Sequence, residues 1–183
     1  MNNYQKTEMK KTIYDKASRR YTIIKVLGII ALAFLMLGST IGAIRSPIGT
    51  WTKQGNTLLR SENYREAVAA YDKALEINRH DSQAWDGKGV ALEFLDEFDG
   101  AIKAFDKAIK INPQDSIAWV NKGAALDQLS KSNEAMKTLD KAIEINPQNS
   151  MAWNNKGSAL AHLNKYDEAI KAYDKAIETN SHY

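Results

Sequence analysis

The chain contains 183 residues, of which 44% are hydrophobic and 26% are charged, and it has no cysteine. The lack of cysteine excludes disulfide bonds, thiolate metal sites, cysteine nucleophiles and lipid-modified cysteine anchors. The formal net charge of +3 is unevenly distributed, because residues 1–47 hold 8 basic and 2 acidic side chains whereas residues 48–183 hold 17 basic and 20 acidic ones. Nucleic acid binding needs a basic surface, so the acidic balance of the larger part argues against a nucleic acid partner.

An uncharged apolar segment, VLGIIALAFLMLGSTIGAI, extends from Val26 to Ile44. As a helix it would span roughly 28 Å, close to the thickness of a bilayer hydrocarbon core. We therefore predict a transmembrane helix over residues 23–44, after a basic tail at 1–22 and before a short linker at 45–47. More basic side chains precede this segment than follow it closely. The positive-inside rule then predicts a single-pass membrane protein with a cytoplasmic N-terminus and an extracytoplasmic C-terminal part.

A cleaved secretory signal is the alternative interpretation of this segment, because a basic start and small residues near its end also fit one. The apolar run is longer than is usual for a signal, and Ile41-Gly42-Ala43 is a poor cleavage site. An uncleaved anchor is therefore favoured over a cleaved and secreted protein. Gly38 and Gly42 also form a GxxxG spacing, which permits close pairing of membrane helices but is a weak signal by itself.

The remaining sequence repeats with a period of 34 residues. A tryptophan begins each period, a glycine follows four residues later, and alanines follow 16 and 23 residues later. The tryptophans are Trp51, Trp85, Trp119 and Trp153, and the glycines are Gly55, Gly89, Gly123 and Gly157. We therefore predict four repeats, at residues 48–81, 82–115, 116–149 and 150–183.

Each repeat is predicted to form two helices. In the third repeat WVNKGAALDQL indicates a first helix, because Trp119 and Leu126 fall on one face at helical spacing. The segment SNEAMKTLDKAIEIN indicates a second helix with Ser132 or Asn133 as its N-cap, and it ends before Pro147. One such pair cannot bury its own apolar face, whereas four stacked pairs can.

The pattern resembles that of the tetratricopeptide repeat family, W-x2-L-G-x2-Y followed by A-x3-F and A. The fourth repeat matches it at Trp153, Gly157, Leu160, Ala169, Tyr173 and Ala176. The resemblance implies an all-α, right-handed superhelical α-solenoid of four helix-turn-helix repeats, preceded by the predicted transmembrane helix. It also implies that the first helices line a concave groove for a protein partner.

The groove positions that the resemblance implies vary between repeats, as a ligand-facing surface would. Amides, carboxylates and apolar side chains are mixed there, which favours a partner peptide or helix with some positive charge. The cations that clamp the acidic C-termini of chaperones in some family members are missing. The predicted groove residues are Thr52, Asn56, Asp86, Val90, Glu93, Phe94, Val120, Asn121, Asp127, Asn154, Asn155, Ser158 and His162.

Two departures from the family pattern lead to further expectations. The usual leucine before the glycine is replaced by Gln54, Lys88, Lys122 and Lys156. The lysines are interpreted as a solvated column, with an anion-binding row as the alternative. The aromatic residue between the helices is replaced in the third repeat by Ser132, so we expect that turn to pack less well.

The sequence offers no candidate for catalysis, a metal or a cofactor. Its three histidines, His80, His162 and His182, are far apart and lack metal-binding spacing, and neither a phosphate loop nor a nucleophile motif is present. The predicted function is therefore a membrane-tethered protein-interaction scaffold and not an enzyme. The alternative is a self-assembling factor that uses the GxxxG helix and the apolar stripe of the last helix, which includes Ile170 and Ile177.

Overall fold

The computed structural model describes residues 47–180, with side chains from residue 49 onward. The predicted transmembrane helix at 23–44, its GxxxG spacing and His182 lie outside the described residues. Within residues 47–180, no helix is sufficiently long and apolar to cross a bilayer.

Eight helices make up the described part of the chain, and consecutive helices pack side by side as an all-α solenoid. The helices are α1 Pro47–Arg60, α2 Tyr64–Ile77, α3 Ser82–Glu93, α4 Phe98–Ile111, α5 Ser116–Gln128, α6 Ser132–Ile145, α7 Ser150–His162 and α8 Tyr166–Asn180. Each predicted repeat thus contains one helix pair. The first helices α1, α3, α5 and α7 also contact one another from repeat to repeat, which places their exposed faces on one surface.

Different devices start the first and second helices of the repeats. Asp81, Asp115 and Asn149 accept hydrogen bonds from backbone N–H groups in the first turns of α3, α5 and α7, as N-caps do. The second helices follow a turn residue with a left-handed backbone, at Glu62, Asp96, Ser130 and Asn164. The predicted N-cap of α6 was wrong, since α6 begins at Ser132 itself and no side chain caps it.

The repeated glycines let the two helices of a repeat approach closely. A Cβ atom on Gly123 would lie 2.6 Å from Cγ of Leu139, and one on Gly55 or Gly157 would lie equally near the ring of Tyr71 or Tyr173. Tyr71 and Leu139 are fully buried. The packing of each pair therefore depends on the absence of a side chain at the glycine.

The repeated tryptophans have a structural role. Trp85, Trp119 and Trp153 are half-buried, and each indole Nε1 donates a hydrogen bond at 2.8–3.0 Å to a backbone carbonyl of the preceding inter-repeat loop. Trp153 also packs against the cluster of Leu160, Ala169 and Ala172 in its own repeat. Each indole thus fixes a first helix to the loop that precedes it.

The lysine column joins neighbouring repeats. Lys88, Lys122 and Lys156 pair at 2.5–2.7 Å with the aspartates that stand 16 residues earlier in the preceding second helices, Asp72, Asp106 and Asp140. The lysine side chains are only 21–23% exposed. The column is therefore neither solvated nor free to bind anions, because each ammonium group is already neutralised.

We predict that Gly123→Ala lowers the free energy of unfolding by about 1–3 kcal/mol, because Leu139 is buried and cannot move away from the new methyl group. Urea denaturation followed by circular dichroism measures the change. Gly100→Ala is the matched control, since its Cβ would meet Leu92 at an ordinary 3.4 Å and alanine favours the helix by up to about 1 kcal/mol. Equal stabilities of the two variants would contradict the packing argument.

Candidate partner-binding groove

Four of the predicted groove residues line one pocket between the second and third repeats. The pocket has a volume of about 450 Å³, and we name it the α3–α5 pocket. Its lining consists of Val90, Glu93, Phe94, Asp96, Phe98, Asn121 and Gln128. The structure therefore brings together predicted residues that are up to 31 positions apart in the sequence.

Asp86 does not line this pocket but is hydrogen-bonded to Asn121, which does. Asn121 Nδ2 donates to Asp86 Oδ1 at 3.1 Å. Burial raises the pKa of Asp86 to about 6, the hydrogen bond from Asn121 opposes that rise, and the negative charge of Asp115 adds to it. At neutral pH the groove thus holds a poorly solvated carboxylate.

Glu93 adds a second carboxylate, which lines the pocket itself. Burial raises the pKa of Glu93, and the charge of Asp86 raises it further. The two residues are seven positions apart, which is about two turns, so they lie on the same face of α3. Within residues 47–180 neither carboxylate forms an ion pair.

A tyrosine hydroxyl, which the sequence did not suggest as a groove residue, also lies in this region. The Tyr71 hydroxyl donates to Asn56 Oδ1 at 2.7 Å. Burial raises the pKa of Tyr71 to about 12, with a contribution from the Asp86 charge against the opposing charge of Arg60. Tyr71 occupies the packing position that Phe105 and Leu139 occupy in the next repeats, so the 34-residue repeat indicates a core residue there. The repeat pattern does not predict the hydrogen bond of the hydroxyl group.

A stacked aromatic pair, of which Phe94 is exposed and Tyr64 half-buried, borders the pocket. The rings of Tyr64 and Phe94 stack with their centroids 4.6 Å apart and their planes within 5°. Phe94 remains 60% exposed. This edge offers a flat apolar surface next to the carboxylate of Glu93.

Three other predicted residues form a hydrogen-bonded cluster between repeats 3 and 4. Asp127 accepts hydrogen bonds from Ser132 Oγ at 2.7 Å and from Ser158 Oγ at 3.1 Å, and its carboxylate lies 3.0 Å from Nδ1 of His162. The Asp127 side chain is only 10% exposed. Ser132 is buried as well, so the expectation that its turn packs poorly was wrong. The cluster joins the repeats and leaves little of Asp127 for a partner.

Two of the predicted groove residues lie in the interior. Val120 is 1% exposed and packs with Ala142 and Ala152. Thr52 is 6% exposed, and its hydroxyl donates to Asp81 at 2.8 Å. Thr52 and Val120 therefore face the junction with the next repeat and not the groove, which corrects both placements.

Asn154 and Asn155 lie neither in the α3–α5 pocket nor in the interior. They line a cleft of about 610 Å³ between α7 and α8, together with Ser150, Met151, Tyr173, Ala176, Ile177 and Asn180. In earlier repeats the corresponding surface packs against the following first helix. These two residues therefore belong to the end of the described array and are separated from the α3–α5 pocket.

The described residues contain no cluster of three or more histidine, aspartate, glutamate or cysteine side chains suited to a metal ion. Asp127 and His162 are paired, but the neighbouring serines donate to the aspartate and not to the histidine. Activation of a serine by a histidine base needs the serine hydroxyl to donate to the histidine.

Family models described as tetratricopeptide repeat match residues 52–116, 116–149 and 150–183. The chain belongs to the tetratricopeptide repeat family. This confirms the predicted repeats and the solenoid fold, and such arrays act as protein-interaction scaffolds that are typically not enzymes.

Solved structures of this family resemble the chain over most of its length. One crystal structure of MamA is 26% identical with a TM-score of 0.68, and the alignment covers 76% of this chain and 88% of that one. A second is 26% identical with a TM-score of 0.67, covering 79% and 84%. MamA from Desulfovibrio magneticus RS-1 is 22% identical with a TM-score of 0.67, covering 75% and 78%, and supports the fold alone. No curated protein sequence matches the chain significantly.

We predict that Asp86→Asn stabilises this tetratricopeptide array at pH 7 by roughly 1–3 kcal/mol and has little effect at pH 4. The pKa of Asp86 in the folded chain, about 6, exceeds the ordinary value of 3.8. The folded state therefore holds the proton more tightly, and stability is lost as the pH rises through this interval. Asparagine does not ionise and keeps an oxygen that can accept from Asn121.

Urea unfolding at pH 4 and pH 7 measures the effect, with Asp99→Asn on the exposed surface of α4 as the control. Asp99→Asn should follow the wild type at both pH values. A destabilised Asp86→Asn variant at pH 7 would contradict the proposed cost of the buried charge.

Proposed function

We propose that this chain is a membrane-tethered interaction scaffold whose α3–α5 pocket receives a lysine or arginine from a partner peptide or helix. The observation that carries the proposal is the pair of Asp86 and Glu93, two partly buried carboxylates with raised pKa values and no ion pair within the described residues. Asp72, Asp106 and Asp140 in the same array each have a lysine partner. The pocket thus holds negative charge that the protein itself leaves unneutralised.

The surroundings of the two carboxylates suit a basic side chain on a peptide. The stacked Phe94 can pack against the aliphatic stem of a lysine or the plane of an arginine. Asn121 and Gln128 present amides that can bond to a peptide backbone. A bound cation would also favour the ionised form of Asp86, so that binding releases the proton held near pH 6.

The tether rests on the apolar segment at 23–44, which would hold the repeats next to the extracytoplasmic face of a membrane. Protease treatment of sealed vesicles tests this orientation. Digestion of the repeats from the cytoplasmic side, with the N-terminal tail protected, would overturn it.

Self-association is a second candidate function, favoured by an uncovered face on α8. Ile170 is 58% exposed, although the residues at its position in earlier repeats, Val68, Ile102 and Met136, pack against the following repeat. Sedimentation of the wild type should then show assembly that Ile170→Glu abolishes and Lys171→Glu retains. A wild-type chain that stays monomeric as its concentration rises would exclude this function.

We predict that the chain binds a leucine-flanked peptide with a central lysine roughly tenfold more tightly than the same peptide with norleucine, since one charge-assisted contact contributes about 1.4 kcal/mol or more. Fluorescein-labelled 12-residue peptides and anisotropy measure this preference. Glu93→Gln should remove it at pH 7.5. Lowering the pH to 5 should weaken it in the wild type, because Asp86 then becomes protonated.

Glu97→Gln is the matched control for this experiment, because Glu97 is exposed and does not line the α3–α5 pocket. It should keep the full preference for lysine. Equal affinity for the two peptides, or an undiminished preference in Glu93→Gln, would refute a cation site in this pocket.

A further inference from the structure

A larger cleft lies between the second helices of the first two repeats. It has a volume of about 780 Å³, and we name it the α2–α4 cleft. Its lining comprises Asp72, Leu75, Glu76, Arg79, His80, Trp85, Lys107, Lys110 and Ile111. None of these residues belongs to the α3–α5 pocket, so the two sites are separate.

Two of the cations in this cleft depart from the repeat pattern. Arg79 stands where the third and fourth repeats are preceded by Pro113 and Pro147. Lys110 stands where the other second helices carry a glutamate, at Glu76, Glu144 and Glu178. The positive charge is therefore specific to this junction and does not follow from the period.

The exchange at Lys110 also leaves Lys107 without its usual partner. In the later repeats, Lys141 pairs with Glu144 and Lys175 with Glu178, each at 2.8 Å across three positions of one helix. Lys107 has a lysine at the corresponding place. Within the described residues, Arg79, Lys107 and Lys110 form no ion pair, and all three side chains are exposed.

The floor of the cleft is apolar and held in place. Trp85 Nε1 donates to the carbonyl oxygen of Arg79 at 3.0 Å, which fixes the indole beside the loop. Leu75 is 6% exposed and Ile111 is half-buried. A ligand can therefore place an apolar side chain on this floor while its charged groups reach the three cations.

We propose that the α2–α4 cleft is a second docking site, which binds an extended acidic segment of a partner protein. Carboxylates of that segment contact Arg79, Lys107 and Lys110, and one of its apolar side chains packs on Trp85. Asp72 in the cleft is neutralised by Lys88, but Glu76 keeps a negative charge at its edge. The concave apolar floor favours a peptide, which can insert a side chain, over a flat anionic membrane.

Fluorescence anisotropy with the full chain in a zwitterionic detergent tests this site. The probe is a fluorescein-labelled peptide, Glu-Glu-Leu-Glu-Asp-Leu-Glu-Glu, and the same peptide with glutamine and asparagine is its neutral counterpart. The chain should bind the acidic peptide, and Lys110→Glu should weaken the binding about tenfold. The variant restores the lysine–glutamate pair seen at Lys141 and Glu144, so it is compatible with the fold.

Lys137→Glu is the matched control, because Lys137 is exposed, lines neither site and gives the same change in net charge. It should keep the wild-type affinity, and so should Glu93→Gln, which separates this site from the α3–α5 pocket. Equal affinity of Lys110→Glu and wild type would overturn the proposal, as would equal binding of the neutral peptide. Lys110-dependent binding to phosphatidylglycerol vesicles without binding of the acidic peptide would also overturn it, in favour of a membrane contact.

Discussion

The close approach of a first-helix glycine to a second-helix side chain is the constraint on which the rest of the array depends. A Cβ atom at Gly55, Gly123 or Gly157 would lie 2.6 Å from its neighbour, so the helices of each repeat sit as near as their backbones allow. The compact pairs then stack closely on one another, since Lys88 lies 2.6 Å from Asp72 of the preceding repeat and equivalent pairs form at the later junctions. A wider spacing would exceed hydrogen-bonding distance and leave those charges half-buried and unpaired.

The second repeat modifies this scheme at two adjacent positions. Gly87 stands where the other repeats carry Lys53, Asn121 and Asn155, and a Cβ atom there would meet the Tyr71 hydroxyl oxygen at 2.5 Å. Asp86 stands at the position of Val120, which lies in the core of the third repeat. A carboxylate thus occupies a position that a buried threonine fills in the first repeat and a buried valine in the third. Residues that are unfavourable for packing are expected at functional sites, where the function offsets a loss of stability.

The fold was predictable because its causes are periodic. The tryptophans, glycines and alanines recur every 34 residues, and each repeated glycine lies against the side chain at the same position of the second helix. The polar contacts were not predictable, since they join residues whose relation depends on how successive repeats are rotated. Asp127, for example, contacts His162, which is 35 residues away. The rotation between successive repeats that allows this contact cannot be read from the sequence. The same limitation misplaced Val120 and Thr52, because these two residues were assigned to the groove, whereas they face the junction with the next repeat.

The departures from the period are concentrated around α3, and they differ in sign on its two sides. Glu93 faces the α3–α5 pocket with an unneutralised carboxylate, whereas Trp85 forms the floor of the α2–α4 cleft beneath Arg79 and Lys110. The cations do not improve the stacking of repeats, because the later repeats pack with proline at the place of Arg79 and with glutamate at the place of Lys110. Charges that packing does not require, and that the protein leaves unpaired, are better explained by complementary charges outside the chain. One short helix would then carry contacts to a basic and an acidic segment together, which is a suitable arrangement for a scaffold that holds two partners side by side.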